Sequence, residues 1–248
     1  MRIKKEVGRL YVNFVYKFKC LRGDYNDIVG HNYINKSISD EEYTNLISQL
    51  YGNKYVEDKY TSNYDLQINN KRWFVDLILS VLDIHLVCDA GANRGYLMEA
   101  FSERGIKAFG FDILDSLDVV LEKHRMNYKI GSILDIPKFD VEFDLVTSTD
   151  VFEHIPINKI DQMVSELKKL KPRYFCFMIS KDMLNDGHIT LKNTRWWMKK
   201  FEPEYKLMNE LTKRLKNYVS GGVPYRYTGI PRNGINQVPG IVFLERKY

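Results

Sequence analysis

Short apolar runs alternate along the chain with segments in which apolar residues recur three and four positions apart. The runs predict strands, and the spaced segments predict helices. In chain order, the predicted strands are HLVCDA, KAFGFDI, NYKIGSI, FDLVTST, YFCFMIS and GIVFLERKY. The predicted helices are RWFVDLILSVL, GYLMEAFSERG, SLDVVLEKHR and INKIDQMVSELKKL, then a pair around TRWWMKKFE and EYKLMNELTKRLKNYV. This alternation predicts an α/β protein with helices covering a parallel sheet, whose edge the short terminal strand closes in antiparallel orientation.

The regular pattern begins at about residue 71, which divides the chain into an N-terminal extension, 1–70, and one α/β domain, 71–248. A length of 248 residues is within the range of a single domain with an extension. In the extension, ISDEEYTNLISQLYG predicts a short helix capped by its serine or first aspartate. The following stretch, KYVEDKYTSNYD, is typical of a lid, in which Tyr60 and Tyr64 either fold over a ligand or only pack.

The positive charge of the chain is concentrated at its N-terminus. The formal net charge is +5, yet residues 1–22 hold seven basic residues against Glu6 alone, which leaves −1 for residues 23–248. Aromatic and aliphatic side chains interleave this basic segment, so it suits an anionic membrane surface or a partner, and equally a solvated arm packed on the domain. The nearly neutral body makes nucleic acid an unfavoured partner.

Composition also limits the compartment. No run reaches the roughly 18 consecutive apolar residues of a transmembrane helix, and the N-terminus lacks an apolar core with a small-residue cleavage site. We therefore expect a cytoplasmic protein, with contact to the inner face of the membrane through residues 1–22 left open. Cys20, Cys88 and Cys176 are isolated along the sequence, so we expect buried thiols and neither a disulfide framework nor a zinc knuckle.

A glycine-containing turn, CDAGANRG at residues 88–95, follows the first predicted strand of the domain. Ligands of open α/β sheets bind beyond the carboxyl ends of strands, where glycines let the backbone approach them closely. The spacing differs from the GxGxxG of dinucleotide sites, and Asp89 before the turn suits a ligand with an ammonium group. Asp112, at the end of the second strand, suits ribose hydroxyls. An amine together with a ribose suggests S-adenosylmethionine.

Over roughly residues 70–248, the chain resembles the class I S-adenosylmethionine-dependent methyltransferases. DAGANRG matches the first motif of the family with Asn93 in place of its middle glycine, a position at which asparagine tolerates a left-handed backbone. GSILDIP is similar to the third-strand motif with Ser132 in place of an acid, and DVFEH resembles an Asp-x-x-Glu-His motif after the fourth strand. The implied fold is Rossmann-like, with a mainly parallel seven-stranded sheet, an antiparallel terminal strand and helices on both faces.

The resemblance implies S-adenosylmethionine as the cofactor. The cofactor-binding residues that it implies are Asp89, Gly91, Asn93, Gly95, Asp112, Ser132, Ile133, Asp135 and Thr149. Among these, Ser132, Ile133 and Asp135 are alternatives for the contact with adenine.

The sulfonium of this cofactor makes its methyl group an electrophile, so the enzyme mainly aligns an acceptor and removes its proton. His154 is the candidate general base, with a structural histidine at a helix start as the alternative. Glu153 either orients His154 or bonds to the strand backbone. His188 lies in NDGHITLKNTRWWMKKF, which resembles methyltransferases encoded with bacterial surface-polysaccharide genes, and it could line an acceptor pocket with Trp196 or Trp197.

We therefore expect a bacterial O-methyltransferase acting on a small molecule, most favourably a sugar or surface-glycan precursor that could carry a phosphate or a lipid. Arg226 and Arg232, in a Gly/Pro-rich loop, could clamp its phosphate or carboxylate, or could be solvated. The alternatives are an RNA methyltransferase and a non-catalytic protein that binds S-adenosylmethionine. A metal site from Asp150, His154, Asp186 and His188 is conceivable, but without i, i+4 spacing or a CxxC pair we expect none.

Overall fold

The computed structural model describes residues 31–51, 64–114, 116–180, 187–209, 212–213 and 240–247. Several predicted features lie outside the described residues: the basic segment 1–22, Cys20, Tyr60, Asp186, Arg226 and Arg232.

The described chain contains five α-helices and seven strands. The helices are α1 Asp40–Tyr51, α2 Tyr64–Leu79, α3 Tyr96–Ser102, α4 Ile160–Lys169 and α5 Thr194–Phe201. The strands are β1 Leu86–Ala90, β2 Lys107–Asp112, β3 Tyr128–Ile130, β4 Leu145–Thr149, β5 Tyr174–Ile179, β6 Tyr205–Leu207 and β7 Gly240–Arg246. Short 3-10 turns occur at His31–Tyr33, Leu117–Val119, Glu122–Asn127, Phe152–His154 and Ile157–Lys159. No helix of the described residues is long and apolar enough to cross a membrane.

All seven strands form one sheet in the order β3-β2-β1-β4-β5-β7-β6. Strands β1 to β5 pair in parallel, and β7 is antiparallel to both β5 and β6. The predicted fold class is confirmed: a mainly parallel seven-stranded sheet with an antiparallel terminal strand. The expected edge position of β7 was wrong, since the three-residue β6 forms that edge. Four consecutive residues of β7 are buried, which suits a strand paired on both sides.

Helices cover both faces of the sheet, as predicted. One face packs against α2 and α3 through residues such as Phe74, Ile78 and Phe101. The other face packs against α4 and α5 through residues such as Met163 and Trp197. As expected, Cys88 and Cys176 are buried free thiols, and they belong to the cores on opposite faces of the sheet.

Two predicted helices have other structures. SLDVVLEKHR forms the two 3-10 turns, Leu117–Val119 and Glu122–Asn127, because long-range contacts fix it there: the buried His124 Nε2 lies 2.7 Å from the Glu99 carboxylate of α3. The start of EYKLMNEL pairs with β7 as strand β6, and the Tyr205 hydroxyl donates to the carbonyl oxygen of Pro172 at 3.0 Å. Tertiary contacts thus override the local helical pattern in both segments.

Helix α2 begins at Tyr64 and continues through the predicted boundary between residues 70 and 71. The division into an extension and a domain therefore stays a prediction, with a continuous helix across the point of division. Helix α1 packs through Leu46 and Leu50 on Ile189, which lies beyond β5. Asn35 adds backbone contacts to the same segment, since its amide donates to the carbonyl of Ile189 at 2.6 Å.

Asp144, just before β4, fixes the start of the central strand β1. Its Oδ2 accepts hydrogen bonds from the amides of His85 at 2.8 Å and Leu86 at 2.9 Å. We expect Asp144→Ala to lower the free energy of unfolding by about 1–3 kcal/mol, because two amides lose their acceptor. Chemical denaturation measures the change. The matched control is Asp140→Ala, an exposed acid whose loss should stay within about 0.5 kcal/mol; equal effects of the two variants would contradict this role.

Candidate active site

The turn after β1 is held against the end of β2 by its own backbone. The amides of Gly91 and Ala92 both donate to the carbonyl oxygen of Phe111, at 2.9 and 3.0 Å. The Asn93 amide donates to Asp112 Oδ2 at 2.8 Å, and the Tyr128 hydroxyl donates to the Asn93 carbonyl at 2.6 Å. The turn therefore presents a fixed backbone surface at the carboxyl ends of β1 and β2.

The residue types of the turn follow from its backbone. Asn93 adopts φ 48°, the left-handed conformation that its sequence position predicted. Gly91 has φ 84°, and a Cβ on it would lie 2.2 Å from Val151 Cγ2. Glycine at 91 is thus required both by conformation and by close approach to the loop after β4.

Asp89 is a buried carboxylate at the end of β1, 3% exposed. Its Oδ1 accepts a hydrogen bond from the Thr147 hydroxyl at 3.0 Å. Burial raises the pKa of Asp89 to about 6, against the opposing effects of the Lys71 charge and the Thr147 hydrogen bond. Asp89 therefore gains from any cation that a ligand brings to this end of the strand.

Lys71 on α2 reaches the same place and was missed by the sequence analysis. Its Nζ donates to Thr149 Oγ1 at 3.1 Å. Burial lowers the pKa of Lys71, and the charges of Asp150 and Asp89 oppose that lowering. The available signal was its position three residues after Ile68 on the buried stripe of an amphipathic helix. A lysine on such a stripe needs polar partners for its ammonium group, and here these partners lie at the carboxyl ends of β1 and β4.

Asp112 uses both carboxylate oxygens within the chain. Its Oδ2 accepts a hydrogen bond from the Asn93 amide, and its Oδ1 accepts one from the Ile113 amide at 2.7 Å. Burial raises the pKa of Asp112, and these two amide hydrogen bonds act in the opposite direction. Asp112 is half-buried, and each carboxylate oxygen has a second lone pair for a ribose hydroxyl. Its predicted cofactor contact stays a prediction, with an added role in holding the turn.

The three adenine candidates differ in exposure. Ile133 is buried in the core that includes Phe111, whereas Asp135 is exposed. Ser132 is half-buried, and its Oγ accepts from the Leu134 amide at 3.1 Å, closing the turn after β3. The contact with adenine therefore stays open among them.

A second group of side chains lies beyond β4, where the segment 187–190 is bound to the 3-10 turn Phe152–His154. The amides of Ile189 and Thr190 both donate to the carbonyl oxygen of Glu153, at 2.8 and 2.9 Å. The Thr190 hydroxyl donates to the carbonyl of Ile155 at 2.6 Å. These bonds bring His188 to Glu153 and His154, which are more than thirty residues earlier in the chain.

The side chains of this group are close together. The rings of His154 and His188 are 4.8 Å apart and nearly perpendicular, at 76°. His154 Nδ1 lies 3.0 Å from the Gly187 carbonyl oxygen, which makes Nδ1 the protonated nitrogen of the neutral ring. His188 Nε2 lies 3.9 Å from Glu153 Oε1. Glu153, His154 and His188 thus lie in one group, and their predicted roles stay predictions.

Glu153 is fully buried, and Oε1 accepts from the Ser180 amide at 2.9 Å. Its Oε2 has no hydrogen-bond partner among the described residues. Burial, followed by the charge of Asp150, raises the pKa of Glu153 well above its usual range. Of the two roles expected for Glu153, the backbone bond is present, and orientation of His154 stays a prediction.

The two tryptophans of α5 have different surroundings. Trp197 is buried, 2% exposed, and stacks on Phe152, so at least one ring of the pair is in the core as expected. Trp196 is half-buried and lies between Lys192 Nζ and Lys200 Nζ, at 5.7 and 4.9 Å from its ring centre. Contact of Trp196 with an acceptor stays a prediction.

The sequence matches the protein family described as "Methyltransferase domain" over residues 87–172, the stretch that includes the turn, Asp112 and the Glu153–His154 pair. The stretch 87–172, about a third of the chain, is thus similar to a methyltransferase domain. S-adenosylmethionine is the cofactor of this family, which confirms the cofactor expected from the turn.

Solved structures share the fold of this methyltransferase domain. Magnesium protoporphyrin IX methyltransferase of Synechocystis PCC 6803, with bound SAM, gives a TM-score of 0.51 at 15% identity, covering 86% of this chain and 98% of that chain. Human N-acetylserotonin methyltransferase in complex with SAM gives 0.51 at 13% identity, covering 85% and 61%. At these identities the likeness shows the fold alone.

Curated relatives match a shorter stretch. Ubiquinone biosynthesis O-methyltransferase of Coxiella burnetii is 32% identical over 76 residues, which are 28% of this chain and 32% of the relative. The chain thus spans about a third of the length of the curated relatives that it matches.

The close approach of Gly91 to Val151 gives a testable prediction. Gly91→Ala adds left-handed backbone strain of about 1–2 kcal/mol and a steric clash of about 1–3 kcal/mol. Chemical denaturation should therefore show a larger loss of unfolding free energy for Gly91→Ala than for Gly105→Ala. Gly105 is the matched control because it has φ 75° and nothing within 4 Å of its added Cβ. Adding Val151→Ala to Gly91→Ala should restore stability to the level of the Gly105 variant; no recovery would contradict the clash.

Proposed function

We propose that this protein transfers the methyl group of S-adenosylmethionine to a hydroxyl group of a small-molecule acceptor, a sugar or surface-glycan precursor. Asp89 and Lys71 bind the amino-acid part of the cofactor, Asp112 binds its ribose, and His154 accepts the proton of the acceptor hydroxyl. The single observation that carries the proposal is the convergence of these groups at the carboxyl ends of β1, β2 and β4.

The cofactor part of the proposal follows from charge. The amino-acid end of S-adenosylmethionine carries one ammonium and one carboxylate group. Asp89 supplies a buried anion for the ammonium, and Lys71, whose Nζ lies 3.1 Å from Thr149 Oγ1, supplies a cation for the carboxylate. Each charge is partly desolvated before the ligand arrives, so pairing with the ligand is stronger than it would be at an open surface.

A hydroxyl acceptor is favoured by the ring state of His154. With Nδ1 donating to the Gly187 carbonyl, Nε2 is the nitrogen at which a neutral ring would accept a proton. The similarity to an O-methyltransferase of ubiquinone biosynthesis, although it covers 28% of this chain, agrees with transfer to oxygen. An amine acceptor would arrive neutral and have less need of such a group.

The acceptor class rests on the segment that holds His188, because its sequence resembles methyltransferases encoded with surface-polysaccharide genes. Arg226 and Arg232 would bind a phosphate of the acceptor, and the basic segment 1–22 would approach a lipid-linked form. The experiment is to titrate the protein with S-adenosylhomocysteine and then measure methyl transfer to sugars, sugar phosphates and lipid-linked sugars. Failure of the folded protein to bind S-adenosylhomocysteine would overturn the proposal.

Asp89 should make cofactor affinity depend on pH. Because its carboxyl must be ionised to pair with the ammonium and has a pKa of about 6, affinity for S-adenosylhomocysteine should fall about tenfold per pH unit below about pH 6. Lys71 and Asp112 are the other charged groups acting on this carboxyl. Calorimetric titration across this range measures the effect. Asp89→Asn should bind weakly at every pH with a flat profile, and a flat profile for the unaltered protein would exclude this role of Asp89.

His154→Ala should lower turnover by roughly two to four orders of magnitude if His154 accepts the proton of the acceptor. Affinity for S-adenosylhomocysteine should be nearly unchanged, because the proposed cofactor-binding residues are Asp89, Lys71 and Asp112, whereas His154 is bonded to Gly187. The comparison is a steady-state assay with the best acceptor of the panel. His85→Ala, at an exposed histidine, is the control and should retain full turnover. Full turnover of the His154 variant would remove its catalytic role.

A further inference from the structure

Glu153, His154 and His188 form a cluster whose chemistry exceeds that of a single general base. A carboxylate oxygen of Glu153 and one ring nitrogen of each histidine all lie within 4.8 Å of one another. Glu153 and His188 are buried, with 0% and 7% exposure. These three residue types are the usual ligands of divalent transition metals.

One atom of the cluster lacks the partner that its burial demands. Glu153 Oε2 is buried and has no hydrogen-bond partner among the described residues. Leaving a buried polar atom unpaired costs about 1–3 kcal/mol, and more when the group is charged. Native structures therefore pair such atoms with protein, water or an ion. The other members of the cluster are two imidazoles, which carry no permanent positive charge to pair with the carboxylate. Imidazoles and a carboxylate can, however, bind the same metal ion.

The backbone around the cluster is shaped to bring the ligands together. Gly187 has φ 74°, and a Cβ on it would lie 2.9 Å from His154 Nδ1 and 2.3 Å from Leu50 Cδ1. Only glycine therefore lets the carbonyl of residue 187 accept from His154. Donation from one ring nitrogen to a backbone carbonyl is the common arrangement by which a metal-binding histidine directs its other nitrogen at the ion.

Asp150 adds a second sign of a constrained site. It adopts φ 56°, a left-handed conformation that few residue types besides glycine, asparagine and aspartate adopt, directly after β4. Asp150 thus turns the chain sharply between β4 and the 3-10 turn that holds Glu153 and His154.

We propose that Glu153, His154 and His188 bind one divalent transition-metal ion. Two imidazoles and one carboxylate fit Zn²⁺, Co²⁺, Fe²⁺ or Mn²⁺, and three protein ligands leave a coordination position open. Bonds of about 2.0–2.2 Å would require the ligand atoms to approach one another to about 3.3 Å. The present separations are up to 4.8 Å, so binding would require the side chains to rotate toward one another.

The ion would change the role of His154, and this consequence rests on the proposed function. The imidazole becomes a ligand rather than the base, and the acceptor hydroxyl occupies the open position, where the ion lowers its pKa. The hydroxyl proton would then pass to solvent, and the oxygen would bond to the methyl carbon while the C–S bond breaks and S-adenosylhomocysteine leaves. A base at His154 requires no ion, so removing metal ions with a chelator separates the two roles.

The test is a titration of metal-free, full-length protein with Co²⁺, in the absence of cofactor and acceptor. We expect one equivalent to bind with the visible absorption of a low-symmetry Co²⁺ centre, and Zn²⁺ to displace it. His188→Ala and the isosteric Glu153→Gln should each weaken binding by about a hundredfold or more, since they remove a ligand. His85→Ala, which removes an exposed histidine near Asp83, is the matched control and should leave binding unchanged.

Folding of each variant is checked by circular dichroism and chemical denaturation. Absence of a Co²⁺ signal in the unaltered protein would overturn the proposal. So would an unchanged signal in a folded His188→Ala or Glu153→Gln variant. The titration needs no turnover, so it tests the metal site separately from the proposed function. Metal binding can be absent while methyl transfer is observed, and it can be present when no acceptor reacts.

Discussion

A carboxylate is buried at the end of the central strand, and the surrounding structure depends on keeping it there. Asp89 accepts from Thr147 on β4, and the turn that follows it is bonded to the end of β2. The packing of Gly91 under Val151 then connects that turn to the loop after β4. Strand pairing, turn conformation and the position of Lys71 on α2 thus meet at one point, where we propose that the ammonium group of the cofactor binds.

The loop after β4 connects this point to the second cluster. Asp150 acts on Lys71, while Glu153, three residues later, binds the segment 187–190 through its carbonyl oxygen. Helix α1 covers that segment through the contact of Leu50 with Gly187. Helix α1 is therefore attached to the segment that holds His188.

The cofactor turn could be predicted because its signals are local: Asn93 and Gly91 have the conformations that their residue types suggest. The strands could be predicted because both faces of a parallel sheet are buried, which produces continuous apolar runs. Lys71 could not be assigned to the site, because the packing of α2 determines where its side chain lies. Nor could the contact of His188 with Glu153, which depends on hydrogen bonds between segments far apart in sequence. The helix predicted around His124 was wrong for the same reason, because the partner of His124, Glu99, lies on another element.

The shared loop also determines how variants of the second cluster should be interpreted. Residues 150–154 link the charge environment of Lys71 to the ligands Glu153 and His154, so a change at Glu153 can reach the cofactor end through Asp150. Loss of turnover alone would then not distinguish a missing ligand from a displaced loop. Affinity for the cofactor measures the effect on the residues around Lys71, and affinity for the metal ion measures the effect on the cluster that contains His188. Only a variant that changes one and preserves the other assigns a role to the residue that was replaced.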